Sequence, residues 1–114
     1  MTDGFEQLVG VLNGHLKRLE LSESRAEGTA MISQAVEKIS KEYGWDCERE
    51  FFIGVRKDGR RGFCDLALSK PDGNKIIIEI DSSNKEWSLM KLIEAYRSGN
   101  KVIWIRWKWP MKFD

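Results

Sequence analysis

Apolar residues open the chain at a helical spacing. In "FEQLVGVLNGHLKRLEL", Phe5, Leu8, Leu12, Leu16 and Leu19 share one stripe, which predicts a helix over about 3–21. "SESRAEG" breaks the pattern. Ser24 and Glu27 then stand at capping-box spacing and start a second helix running to about Tyr43, where Gly44 stops it. Its predicted buried stripe is Met31, Ile32, Ala35, Val36, Ile39 and Tyr43.

The period then changes from helical to alternating. A strand is expected around Cys47–Val55, followed by the hairpin signal Asp58-Gly59 in "KDGR" and a partner strand, "RGFCDLALS". "KPDGNK" makes a second turn through Pro71 and Gly73, and "KIIIEIDSS" reads as the third strand. Alternation sends Ile76, Ile78 and Ile80 to one face and Ile77, Glu79 and Asp81 to the other. Apolar residues on both faces place this strand centrally in its sheet. Ser83 and Glu86 have the spacing of another capping box, opening a helix to about Ser98 with Trp87, Met90, Ile93 and Tyr96 inward. After Gly99-Asn100, "KVIWIRW" is a fourth strand, and the strand–helix–strand spacing predicts a parallel crossover. The expected fold is therefore α/β: a four-stranded mixed sheet flanked by helices.

Composition bounds this reading without redirecting it. With 114 residues, 41% hydrophobic and 32% charged, the chain suits one domain spanning 1–114, with an extra N-terminal helix and a core over about 24–107. A net charge of +1 neither requires nor excludes a polyanionic partner. Met1–Gly10 lacks a basic start leading into an apolar run, and no stretch reaches membrane-spanning length. Cys47 and Cys64 have no metal-ligand spacing, so a reduced, cytoplasmic setting is expected.

Three carboxylates carry the chemical signal. Asp65 interrupts the apolar strand "FCDLAL", and Glu79 and Asp81 end the next strand on one face. Ionised carboxylates are costly to bury without compensating positive charge. A short hairpin between the two strands would bring all three to one end of the sheet. Oxygen-only donors suit Mg²⁺ or Mn²⁺, which can lower the pKa of bound water and offset charge on a phosphate. His15, the single histidine, lies between core positions of the first helix and reads as a surface or boundary residue. Histidine-based nucleophilic catalysis is accordingly not expected.

An acid ending one strand, followed by E-x-[K or D] on the next in an α-β-β-β-α-β frame, resembles the PD-(D/E)XK (restriction-endonuclease-like) nuclease superfamily. The resemblance covers about Ser24–Trp107. "IEIDSSNK" is similar to the E-x-D-G-x-x-H strand end of the very-short-patch-repair-like branch, with Asp81 in place of the usual lysine and Lys85 at the histidine position. The resemblance implies an (endo)nuclease dependent on Mg²⁺ or Mn²⁺, acting on DNA ahead of RNA. It implies metal binding by Asp65, Glu79 and Asp81, and catalytic support from Lys85 or Lys91. The superfamily's helix glutamate would map to Glu27 or, second, Glu37. The missing motif lysine supports an alternative: a catalytically inactive nuclease fold that binds nucleic acid or a protein partner. Arg56, Lys57, Arg60 and Arg61 around the hairpin tip are placed to contact phosphates, which supply most non-specific affinity. Four of the five tryptophans lie in the C-terminal half, and one or two near the chain end could stack on bases or form a homodimer contact.

Overall fold

The computed structural model describes residues 4–20, 24–55, 59, 61–82 and 85–107. Their order is α1 (Gly4–Leu16), α2 (Arg25–Glu42), β1 (Asp46–Val55), β2 (Arg61–Ser69), β3 (Lys75–Asp81), α3 (Glu86–Arg97) and β4 (Lys101–Arg106). The strands form one mixed sheet in the order β1-β2-β3-β4. β1 and β3 each pair antiparallel with β2, while β3 and β4 run parallel through the α3 crossover. The α/β class, the four strands and the central place of β3 all match the sequence pattern. Among the described residues no helix is long and apolar enough to cross a membrane.

Alternation along β3 divides the core in two. Ile76, Ile78 and Ile80 join Leu66 and Leu68 against Leu8 and Leu12 of α1 and Ile32, Val36 and Ile39 of α2. Across the sheet, Ile77, Cys64 and Ala67 pack against Leu92 and Ala95 of α3. Two helices thus cover one face and one helix the other.

Local chemistry explains where α2 begins and ends. The Ser24 hydroxyl accepts the Glu27 N–H at 3.4 Å, satisfying one of the open donors of the first turn. Beyond the Tyr43 C-cap, Gly44 takes φ +86°, a left-handed conformation that suits glycine. The turn before β3 closes by a bond from Lys70 N–H to Asn74 C=O, with Gly73 at φ +93°.

Four expectations need correction. The first helix ends at Leu16, short of residue 21, where the backbone tightens into a turn: the Arg18 N–H donates to the His15 carbonyl at 3.1 Å, and His15 and Lys17 face solvent. Tyr43 is exposed, since the chain turns at Gly44 before its ring can reach the core. Most consequentially, α3 is rotated: Ser88, Leu92 and Ala95 face the sheet, Trp87 is half-buried, and Met90, Ile93 and Tyr96 point outward. The expected cap is also displaced, as Lys85 is the N-cap and provides no side-chain bond; Ser83 lies outside the described residues.

α2 and β4 meet at one tight place. Gly28 faces the Trp107 ring, which lies where a Cβ at that position would stand. Alanine normally stabilises a helix interior relative to glycine by about 1 kcal/mol. Here overpacking should dominate, and Gly28→Ala is expected to lower stability by about 1–3 kcal/mol. Urea denaturation checks this; a raised midpoint would contradict the packing.

Candidate active site

β2 and β3 stop pairing where their carboxylates begin. Their ladder runs from Ser69↔Lys75 to Leu66↔Ile78. Beyond it, the Asp65 N–H donates to Glu79 Oε2 at 3.1 Å, and the Ile80 N–H donates to Asp65 Oδ2 at 2.7 Å. Each side chain thus takes a backbone donor from the other strand. This reciprocal exchange satisfies buried N–H groups that the ladder no longer serves. It also fixes the two carboxylates side by side.

Glu79 is 1% exposed, on the α3 face of the sheet. Lys91 of α3 reaches its Oε1 as an ion pair and donates to the Phe63 carbonyl at 2.9 Å. With 13% of its side chain exposed, Lys91 is largely buried, and one cation ties α3 to both central strands. Leaving such a carboxylate buried without its partner costs about 3–5 kcal/mol. Rotating α3 to bury Met90 and Ile93 would swing Lys91 away from Glu79, which accounts for the helix orientation.

Burial pushes the Glu79 carboxyl up to about 8, and its hydrogen bond with Asp65 adds to the rise against the opposing pull of Lys91. The adjacent Cys64 thiol is raised to about 12, first by burial and then by the charge of Glu79, so it is a poor nucleophile.

Asp81, also buried, is held from β4 by the Trp104 Nε1–H, which donates to Oδ2 at 2.8 Å. Lys85 lies 3.7 Å from its Oδ1 with 62% of the lysine side chain exposed. The backbone beyond is anchored by the Trp107 N–H donating to the Asp81 carbonyl at 3.0 Å.

These groups open on a cleft of about 470 Å³ between the α2 N-terminus and α3. Asp65, Glu79, Asp81, Lys85 and Lys91 all line it. The α2 wall comes from Arg25, Ala26 and Thr29, while Glu27 stands exposed in the same turn. Glu37 faces Arg49 of β1 at 3.5 Å. Arg61 is exposed, with its guanidinium 4.8 Å from the Phe52 ring centroid and 5.4 Å from that of Phe63. Arg56, Lys57 and Arg60 lie outside the described residues.

Sequence reasoning missed Arg25, Trp87 and Ser88 as lining residues. Arg25 was findable: it directly follows the Ser24 cap, so it belongs to the turn that faces the strand end. Trp87 and Ser88 depended on the rotation of α3, which periodicity misjudged.

The donor set suits a hard divalent cation at Asp65 and Glu79. All the donors are carboxylate oxygens, and burial, with Asp65 beside it, keeps the Glu79 carboxyl raised against the pull of Lys91, so added positive charge would be favourable. Among the described residues no group of three or more histidine, cysteine, aspartate or glutamate side chains is arranged to hold a metal. Of the three acids, Asp65 and Glu79 are joined by the reciprocal backbone bonds, while Asp81 is tied to Trp104 and Lys85. Comparison with family models, with curated proteins and with solved structures returned no match for this chain.

Because Glu79 titrates near 8 in the fold and near its ordinary 4.5 when unfolded, the folded state binds more protons between those values. Its contribution is thus fully present below the unfolded pKa and is lost as pH rises through the folded one. Wild type, measured in EDTA, should lose stability relative to Glu79→Gln between about pH 5 and about pH 8. Urea midpoints read the difference; a gap that is flat or runs the other way would contradict the titration.

Proposed function

We propose that the protein is a metal-dependent nuclease that hydrolyses phosphodiester bonds, in DNA ahead of RNA, on a restriction-endonuclease-like core. The observation carrying this reading is the pairing of half-buried Asp65 with buried Glu79 at the parting of β2 and β3, opening on a cleft with Lys91 inside it. The order α2-β1-β2-β3-α3-β4, with β3 and β4 parallel, supports the fold assignment.

In this reading Asp65 and Glu79 hold Mg²⁺ or Mn²⁺, which when bound supplies a water of lowered pKa and offsets charge developing on the phosphate. Lys91 takes the part of the lysine absent from position 81. Its ammonium is held by Glu79 and the Phe63 carbonyl, so it stands ready to offset negative charge with little reorganisation. Asp81, fixed by Trp104, orients a water or a second cation; the exposed Lys85 adjusts its charge. Arg25 on the cleft wall, with Arg61 and the other basic residues of the hairpin, contacts the phosphate backbone.

A second reading has its own support. Lys91 already occupies Glu79 Oε1, which suits a nuclease fold that binds nucleic acid or a protein partner without cutting.

Cleavage of supercoiled plasmid, linear duplex, single strands and RNA with Mg²⁺ or Mn²⁺ separates the two. Folded Asp65→Asn and Glu79→Gln should each lose about 10²-fold or more of the activity. Lys91→Met should fall similarly, and Lys85→Ala by less than about tenfold. Absence of cutting by wild type on every substrate would overturn the nuclease reading in favour of the second.

A further inference from the structure

The rotation of α3 leaves a helix that is apolar on two sides. Leu92 and Ala95 are buried on the sheet, yet Leu89, Met90, Ile93 and Tyr96 are between 41% and 68% exposed. Scattered exposed apolar residues need no explanation, but four on one side of a twelve-residue helix form a contiguous patch, the kind of surface that marks interaction sites.

The arrangement of that patch specifies its occupant. At 3.6 residues per turn, Glu86, Met90, Ile93 and Arg97 fall within a sector of about 60° opposite the buried side. Their four–three–four spacing is that of a coiled-coil seam. Glu86 and Arg97 lie equally far from the midpoint between Lys91 and Leu92, and so do Met90 and Ile93. A two-fold axis through that midpoint would therefore set Glu86 against Arg97 of a second copy and Met90 against Ile93. Leu89 and Tyr96 share one flank, so the same axis brings each Leu89 beside the other copy's Tyr96. A parallel arrangement would instead oppose acid to acid and base to base. Charge and apolar positions agree on one self-complementary geometry, the requirement for an isologous contact.

We propose that α3 pairs antiparallel with α3 of a second copy of this chain to form a homodimer. Lys91 and Trp87 lie on the other flank of the helix, toward the cleft, so each cleft stays open. The side chains involved cover on the order of several hundred Å² per protomer, at the small end of specific interfaces, and a micromolar dissociation constant is expected.

Sedimentation equilibrium of the full chain from about 1 to about 300 μM brackets that range. Wild type should pass from monomer to dimer, and Ile93→Asp, an exposed substitution checked for folding by circular dichroism, should remain monomeric. Glu86→Arg and Arg97→Glu should each weaken the dimer about tenfold, and the double charge swap should restore it. A wild type monomeric throughout, or a dimer unaffected by Ile93→Asp, would overturn the proposal. Failure of the double swap to recover over the singles would also overturn it, by removing the antiparallel geometry. None of these outcomes depends on whether the protein cuts nucleic acid.

Discussion

Much of this structure follows from burying one carboxylate. Glu79 sits at the end of the central strand, almost wholly removed from water. A charge in that position must be neutralised, paired or bound to a cation. The fold answers with two elements at once: the Asp65 backbone N–H across the strand opening and the Lys91 ammonium from the crossover helix. The first decides where the β2–β3 ladder ends; the second decides how α3 is turned on the sheet. What looks like a local ion pair therefore determines the cleft, its lining and the residues left on the outer surface of α3.

Much of the fold could be read from the residues because local and tertiary preferences agree there. β2 and β3 carry alternation on both sides, turn chemistry at Pro71 and Gly73, and a hydrophobic centre, so strand identity, pairing and facing all follow. The Ser24 cap and Gly44 stop likewise mark α2 closely. For α3, periodicity fails for a physical reason. Two apolar stripes compete on that helix, and hydrophobicity favours burying Met90, Ile93 and Tyr96. Electrostatics selects the other side, because only that rotation supplies Glu79 with its counter-charge. A hydrophobic pattern contains no record of such a long-range pairing.

The convergence of Asp65, Glu79 and Asp81 was legible from strand alternation and one short turn. Their roles were not equally legible, since spacing cannot say which acid is paired with which base. The structure distinguishes them: Glu79 is tied to Lys91, Asp81 to the Trp104 indole, and Asp65 to the backbone of the opposite strand. It also separates two lysines that the residues alone leave equivalent. Lys91 is embedded in the site, whereas Lys85 remains mostly in solvent.

Both readings of the cleft rest on how much charge the acidic pair carries after Lys91 has acted. Titration of the full chain with Mn²⁺, followed by electron paramagnetic resonance of the free ion, measures this without reference to catalysis. Binding of the metal by wild type, lost in folded Asp65→Asn and Glu79→Gln, is the result expected if the pair is a cation site. A wild type that leaves Mn²⁺ free, or variants that bind it equally well, would show that the Asp65–Glu79 pair is not a cation site.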